Sequence, residues 1–137
     1  MPTKKVSNRT LITNKIVQPM SNNLLAGKRG IIFGALDEQS IAWKTAEKCV
    51  EQGAKITLTN APVALRFGTI NELGKKLNAE IIPADATSEE DLENLITKSM
   101  EILGGKLDFV LHSIGMSVNV RKKRSYTNIK YDWMQKT

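Results

Sequence analysis

This sequence has almost no cysteine, no long apolar run and no cluster of metal-binding side chains. Its single cysteine, Cys49, has no second thiol with which to form an internal disulfide, so we expect a reducing, cytoplasmic setting. No apolar run approaches the roughly 20 residues that span a bilayer. No apolar segment of a secretory signal follows the basic residues Lys4, Lys5 and Arg9. No group of His, Cys, Asp and Glu residues has metal-ligand spacing. We therefore expect no disulfide framework, no membrane association and no metal site.

The charge is basic overall but unevenly distributed. The chain of 137 residues is 41% hydrophobic and 25% charged, which is typical of one globular domain, and its net charge is +6. Residues 1–19 carry +4 and residues 121–137 carry +5, whereas residues 20–120 carry −3. A nucleic-acid-binding domain should present its basic patch on the folded body, so we expect no nucleic-acid partner.

Three regions can be distinguished along the chain. Residues 1–19 show no periodicity. They are either an unstructured basic extension or, because Met20 offers a second start, a segment absent from the natural protein. Residues 20–117 alternate short apolar runs with helical patterns and are expected to form one α/β unit. Residues 118–137 are polar and basic and are expected to form a loop or tail that ends at a truncation.

The central region predicts a parallel, doubly wound α/β sheet. Continuous apolar runs indicate strands buried on both faces, and apolar residues every three or four positions indicate helices. The predicted order is strand 30–33, helix 40–52, strand 56–59, helix 62–77, strand 81–82, a helix from the capping box at 87–90 to residue 103, and strand 107–111. Pro83 should cut the third strand short. In the first helix, Ser40 is expected to cap the start and Ile41 to belong to the buried stripe. The order implies right-handed crossovers in a sheet truncated after its fourth strand.

Ligands of doubly wound sheets bind beyond the carboxyl ends of the strands. These ends are residues 34–42, 60–62, 85–87 and 112–115. The first loop leads into a helix N-terminus, which is a ready site for an anion. The usual dinucleotide fingerprint G-x-G-x-x-G is absent, because only Gly34 stands at the turn and Ser40 takes the place of the last glycine. The loop alone therefore leaves open a dinucleotide site or an ordinary turn with a serine cap.

Taken together, the strand ends resemble those of the enoyl-[acyl-carrier-protein] reductases, a divergent branch of the short-chain dehydrogenase/reductase superfamily. The resemblance covers residues from about 24 to about 133 and is closest at 27–30, 40–43 and 111–116. The residues that carry it are, in chain order, Gly34, Ser40, Ile41, Ala42, Asp85, Ser113, Ile114 and Gly115. It implies that residues 20–117 are the N-terminal half of a Rossmann-like NAD(P)-binding domain.

The resemblance also implies roles around the adenosine and the phosphates. Gly34 would let the backbone approach the pyrophosphate, and Ser40 with the amide of Ile41 would hold phosphate oxygens. Asp85 would accept a hydrogen bond from the adenine amino group, with the amide of Ala86 beside it.

Further roles are implied near the reacting end of the cofactor. Ile114 would pack near the nicotinamide ribose, and Gly115 would let the cofactor lie close over the fourth strand. Met116 and Ser117 would begin the wall of the acyl pocket, so Ser117 is the candidate substrate-binding residue.

The end of the second strand departs from many dinucleotide folds. An acid usually stands there to hold the ribose hydroxyls, whereas this chain has Asn60 and Ala61. No carboxylate repels a 2′-phosphate, and Arg66 follows close in the sequence. The resemblance favours NADH as the cofactor, and NADPH stays open.

The family's catalytic tyrosine and lysine belong to a segment after the fifth strand. No residue of this chain is assigned to that pair. The available candidates come too early in the order of elements, just after the fourth strand: Tyr126, Lys130, Tyr131 and Lys136. We therefore expect the pair to lie beyond the C-terminus and this chain alone to be inactive. His112 and Cys49 are expected to be structural.

The full enzyme implied by the resemblance reduces trans-2-enoyl-acyl carrier protein in fatty acid biosynthesis and assembles as a homo-tetramer. Residues 121–124, four consecutive bases, would then either meet the acidic carrier protein or form a solvated loop. Two alternatives remain, namely another short-chain reductase acting on a carbonyl and a non-catalytic dinucleotide-binding module.

Overall fold

The computed structural model describes residues 22–115 and 122–135. Residues 1–19, Met116, Ser117 and Arg121, for which the sequence made predictions, lie outside this part of the chain. In chain order the elements are β1 (Arg29–Phe33), α1 (Ile41–Glu51), β2 (Lys55–Thr59), α2 (Pro62–Phe67), α3 (Ile70–Leu77), α4 (Glu89–Leu103), β3 (Phe109–His112), a 3-10 helix (Tyr126–Asn128) and α5 (Tyr131–Met134). Among the described residues, no helix is long and apolar enough to cross a membrane.

The three strands form a parallel sheet with β1 in the centre, in the order β2-β1-β3. Gly30 lies opposite Ile56 of β2 and Phe109 of β3. On the far side of β2, Ile81 makes a parallel bridge to Leu58. The spatial order is therefore that of one half of a Rossmann fold, and the predicted doubly wound sheet is confirmed.

The predicted third strand is reduced to that bridge. Leu58 N donates to Glu80 O at 2.8 Å and Ile82 N donates to Leu58 O at 2.9 Å, as in a parallel ladder. Pro83 has no N–H to continue it, and the next bond to this side of the sheet comes from Ala84 N. The sequence prediction that Pro83 cuts the strand short is confirmed.

The prediction of one helix over 62–77 is wrong, because the chain breaks into α2 and α3 at Gly68 and Thr69. A Cβ atom on Gly68 would lie 2.7 Å from Leu36 O, so only glycine allows this close approach to the loop after β1. Thr69 N then donates to Leu36 O at 3.0 Å. The break is thus imposed by a contact 32 positions away in the chain.

The expected buried stripe of α1 is also corrected. Ile41 is 76% exposed, and the inward face is formed by Ala42, Trp43, Ala46 and Cys49. Trp43, which the sequence pattern did not place in the stripe, is almost completely buried. The inward face is therefore set by Trp43, which fills more volume than Ile41 would, and the N-terminal residue of the helix is left in solvent.

The core divides between the two faces of the sheet. One cluster of buried residues includes Ile32, Trp43 and Leu73, and the other includes Ile31 and Leu95. Ile31 and Ile32 alternate between them, as successive strand residues must. This burial on both faces explains the continuous apolar run of β1.

The amino edge of the sheet is closed by a network around Arg29. Its side-chain Nε donates to Leu103 O at 2.9 Å at the end of α4, and its backbone N donates to Asp108 Oδ2 at 2.9 Å. Lys28 adds an ion pair with Asp108 at 3.2 Å. The 27–30 stretch, one of the three where the family resemblance is closest, therefore has a structural role at the edge opposite the candidate site.

The segment 122–135 carries the 3-10 helix and α5, where the sequence predicted only a loop or tail. Arg124 lies 5.3 Å and Lys130 lies 4.8 Å from the ring centroid of Trp133. Arg124 also donates to Asn128 O at 3.2 Å. At least one of the four consecutive bases is therefore held by contacts within its own segment.

Candidate functional site

Four loops meet at the carboxyl edge of the sheet. Gly34 follows β1 with a φ of +110°, and a Cβ atom there would lie 2.1 Å from Ser113 O, beyond the end of β3. Gly34 N also donates to Thr59 O at 3.0 Å, at the end of β2. Only glycine can adopt this backbone and this approach together. The structure thus brings together the strand ends that the sequence predicted would form a site.

Residues 34–40, here called the β1 loop, are folded into a closed turn by their own polar groups. Asp37 Oδ1 accepts from Gln39 N at 2.9 Å and from Ser40 N at 3.1 Å. Ser40 Oγ donates to Asp37 O at 2.7 Å and accepts from Leu36 N and Trp43 N, both at 3.3 Å. Ser40 is confirmed as the N-cap of α1. Because its proton is used by Asp37 O, donation from this hydroxyl to a phosphate stays a prediction.

Helix α1 offers backbone donors beside this turn. The first amides of a helix, here those of Ile41 and Ala42, have no acceptor within the helix itself. The first turn of α1 contains no acidic residue. The partial positive charge of the helix N-terminus is therefore not neutralised by a side chain of its own first turn, and the geometry suits an anion.

Asn60, which the sequence marked only as standing where an acid is usual, makes contacts at this edge that sequence reasoning missed. It is only 9% exposed at the end of β2. Its Nδ2 donates to Ala35 O at 2.9 Å, and its Oδ1 accepts from Ala61 N at 2.8 Å. Its backbone oxygen accepts from Ala84 N at 3.1 Å. The signal available in the sequence was an amide in the position where an acid is usual.

Asp85 and Ala86 follow the Ile81 bridge. Asp85 Oδ1 accepts from Thr87 N at 2.9 Å and from Thr87 Oγ1 at 2.7 Å, while Asp85 N donates to Asp91 Oδ2 at 2.8 Å. The bond from the Thr87 backbone, followed by that from its hydroxyl, holds the pKa of the Asp85 carboxyl below its usual range. Asp85 is therefore an exposed, ionised acceptor at neutral pH, and Ala86 beside it is half-buried.

The end of β3 supplies a packed residue and an open one. Ser113 N donates to Phe33 O at 3.0 Å, which continues the pairing with β1. Ile114 is half-buried against the second core cluster. A Cβ atom on Gly115 would meet nothing within 4 Å, so no contact with the described residues requires glycine there. Among the described residues, nothing occupies the space beside Gly115 at this edge of the sheet.

The remaining candidates have no ligand-binding arrangement among the described residues. His112 is exposed, with its ring 6.5 Å from that of Phe33. Cys49 is buried, and burial raises the pKa of its thiol, as expected of a structural cysteine. Within the described ranges, no group of three or more His, Cys, Asp or Glu residues could hold a metal ion.

Comparison with known proteins identifies the family. A family model described as Enoyl-(Acyl carrier protein) reductase matches residues 34–137. The chain belongs to this family. The curated Enoyl-[acyl-carrier-protein] reductase [NADH] 2 of Rhizobium meliloti is 33% identical over 119 residues, which are 85% of this chain and 43% of that protein.

Solved structures of enoyl-[acyl-carrier-protein] reductases have the same fold. The FabI-NADH complex from Alistipes finegoldii is 64% identical with a TM-score of 0.79, covering 84% of this chain and 41% of that one. The reductase of Bacillus cereus, solved with NADP+ and indole naphthyridinone, is 26% identical with a TM-score of 0.69, covering 82% and 44%. The chain thus spans less than half the length of these relatives.

Proposed function

We propose that this protein is an NADH-dependent enoyl-[acyl-carrier-protein] reductase and that the carboxyl edge described above is its dinucleotide site. The observation that carries the proposal is the close packing of Gly34 on Ser113, which joins the β1 loop to the end of β3 beside the N-terminus of α1. When bound, NADH supplies the hydride that adds to the β-carbon of a trans-2-enoyl thioester, and a proton at the α-carbon completes the saturated chain.

The residues of this edge fit a dinucleotide. The amide of Ile41 would donate to the pyrophosphate, which would approach the backbone at Gly34. The carboxylate of Asp85, whose pKa Thr87 lowers, would accept from the adenine amino group, with the Ala86 amide beside it. Ser40 would shape the site through the turn that it closes. To donate to a phosphate, its hydroxyl would have to give up its bond to Asp37 O.

Residues at the end of β3 would face the reacting half of the cofactor. The half-buried Ile114 would support the nicotinamide ribose, and the open space at Gly115 would admit the ring. Ser117 would belong to the acyl pocket, a proposal that rests on the family resemblance because Ser117 lies outside the described residues.

NADH is the proposed cofactor. NADPH stays open because of the residues at the end of β2. No carboxylate stands there to hold the ribose hydroxyls or to repel a 2′-phosphate. Arg66 is exposed in the last turn of α2. The relatives include proteins named for NADH and a structure solved with NADP+.

The wider setting is proposed from the family. The enoyl group would arrive on acyl carrier protein in fatty acid biosynthesis, in the cytoplasm, and the whole enzyme would be a homo-tetramer. The 137 residues alone should not turn over substrate, because the family's tyrosine and lysine pair is matched by none of them.

The test is a turnover assay on the protein expressed from its complete natural reading frame. We expect NADH to be consumed with a trans-2-enoyl thioester and not with the corresponding β-keto thioester. Gly115→Ala should leave the midpoint of unfolding unchanged, because a Cβ atom there meets nothing within 4 Å among the described residues. The same variant should weaken NADH binding at least about tenfold, since overpacking of a close contact costs roughly 1–3 kcal/mol. Turnover of the keto substrate alone would instead support a carbonyl reductase.

A further inference from the structure

Asn60 holds three strand ends together. Its side-chain Nδ2 reaches Ala35 O after β1, and its backbone oxygen receives Ala84 N, directly before Asp85. Its Oδ1 accepts a hydrogen bond from Ala61 N, which fixes the side-chain orientation. One lone pair of Oδ1 and one of the two Nδ2 protons are thus used within the protein, at a residue only 9% exposed.

The β1 loop depends on such external contacts because it has few glycines of its own. Leu36 O receives Thr69 N at 3.0 Å, and Leu36 N donates to Ser40 Oγ at 3.3 Å. The bonds from Asn60 and Thr69, which both lie between β2 and α3, therefore fix two consecutive carbonyls of the loop, those of Ala35 and Leu36. In this chain, hydrogen bonds from outside the loop therefore help to fix a turn that is glycine-rich in other dinucleotide folds.

We propose that Asn60 is a positioning residue of the dinucleotide site, an inference that rests on the proposed function. Its side chain ties the β1 loop, which would hold the pyrophosphate, to a residue whose backbone carbonyl is bonded beside Asp85, which would hold the adenine. It does not recognise the ribose, although it occupies the position where an acid does so in many related folds.

The proposal predicts an unusual effect for Asn60→Asp. If the position faced the ribose, a carboxylate should strengthen NADH binding and repel the 2′-phosphate of NADPH. If Asn60 positions the loops, the carboxylate instead loses the donor to Ala35 O and places a negative charge against that carbonyl. Both cofactors should then bind about tenfold more weakly, since leaving a buried carbonyl unpaired is costly. The ratio of their affinities should not change.

The experiment compares Asn60→Asp and Asn60→Ala with Asn71→Asp, the same change at an exposed asparagine on α3. The protein from the complete reading frame is titrated with NADH and with NADPH. Hydrogen exchange of residues 34–42 is measured without cofactor. Both Asn60 variants should lose affinity for both cofactors and exchange faster in the β1 loop, whereas Asn71→Asp should match the parent.

Two results would overturn the proposal. One is unchanged exchange and affinity in both Asn60 variants, and the other is an Asn60→Asp variant that shifts the affinity ratio towards NADH. Asn60→Ala keeps the test informative if the aspartate variant does not fold. If the parent bound neither cofactor, the proposed function would fail, and exchange of the β1 loop would still decide whether Asn60 positions it.

Discussion

Replacing Gly34 with alanine should destabilise the protein more than its positive φ alone explains. A left-handed backbone costs a non-glycine residue about 1–2 kcal/mol. At Gly34 the new methyl group would also lie 2.1 Å from Ser113 O, and overpacking of this kind costs about 1–3 kcal/mol more. We therefore expect the free energy of unfolding to fall by roughly 2–5 kcal/mol.

Gly104→Ala is the matched control. Gly104 also has a positive φ, +76°, as the C-cap of α4, but a Cβ atom there would meet nothing within 4 Å. It should lose only the conformational part, about 1–2 kcal/mol. Urea denaturation of both variants measures the difference. Equal losses would refute the argument that Gly34 is required by the packing of β1 on the end of β3.

Two further predictions concern stability. Glu47→Gln should lower the free energy of unfolding by about 1 kcal/mol at pH 7, with exposed Glu93→Gln as the control. Lys76 Nζ donates to Glu47 Oε1 at 2.6 Å, and this bond lowers the pKa of Glu47. The contribution of Glu47 to the free energy of unfolding is therefore present above the usual carboxyl range and is lost as pH falls through the lowered pKa. A difference that does not shrink in acid would contradict this assignment. Thr57→Val should cost about 1–3 kcal/mol, because it leaves Ser99 Oγ without its 2.7 Å bond. By contrast, Thr59→Val should be neutral or stabilising, because Thr59 Oγ1 has no hydrogen-bond partner among the described residues. Thermal unfolding of the two valine variants side by side tests this contrast, and equal losses would contradict it.

The sheet was predictable because its signals are local. The apolar run of β1, the serine cap of α1 and the proline after Ile82 each determine their own surroundings, and all three have the predicted effect. The carboxyl edge followed from the general rule for doubly wound sheets rather than from a fingerprint motif.

What the sequence did not reveal depends on contacts distant in the chain. At Gly68, where the helical pattern is interrupted, Leu36 occupies the space that a Cβ atom would need. Ile41 is exposed and Trp43 is buried, a difference that the apolar pattern of α1 did not reveal. The direction in which Asn60 turns depends on the position of Ala35 O, which no local pattern around residue 60 encodes.

The central claim is that a dinucleotide binds at the carboxyl edge of this sheet. Its most direct test is hydrogen exchange of the protein from its complete reading frame, with and without NADH. We expect slower exchange with NADH in residues 34–42, 85–87 and 112–115, and no change at the amino edge in residues 27–29 and 104–108. Protection confined to the amino edge, or no protection at a saturating NADH concentration, would contradict it.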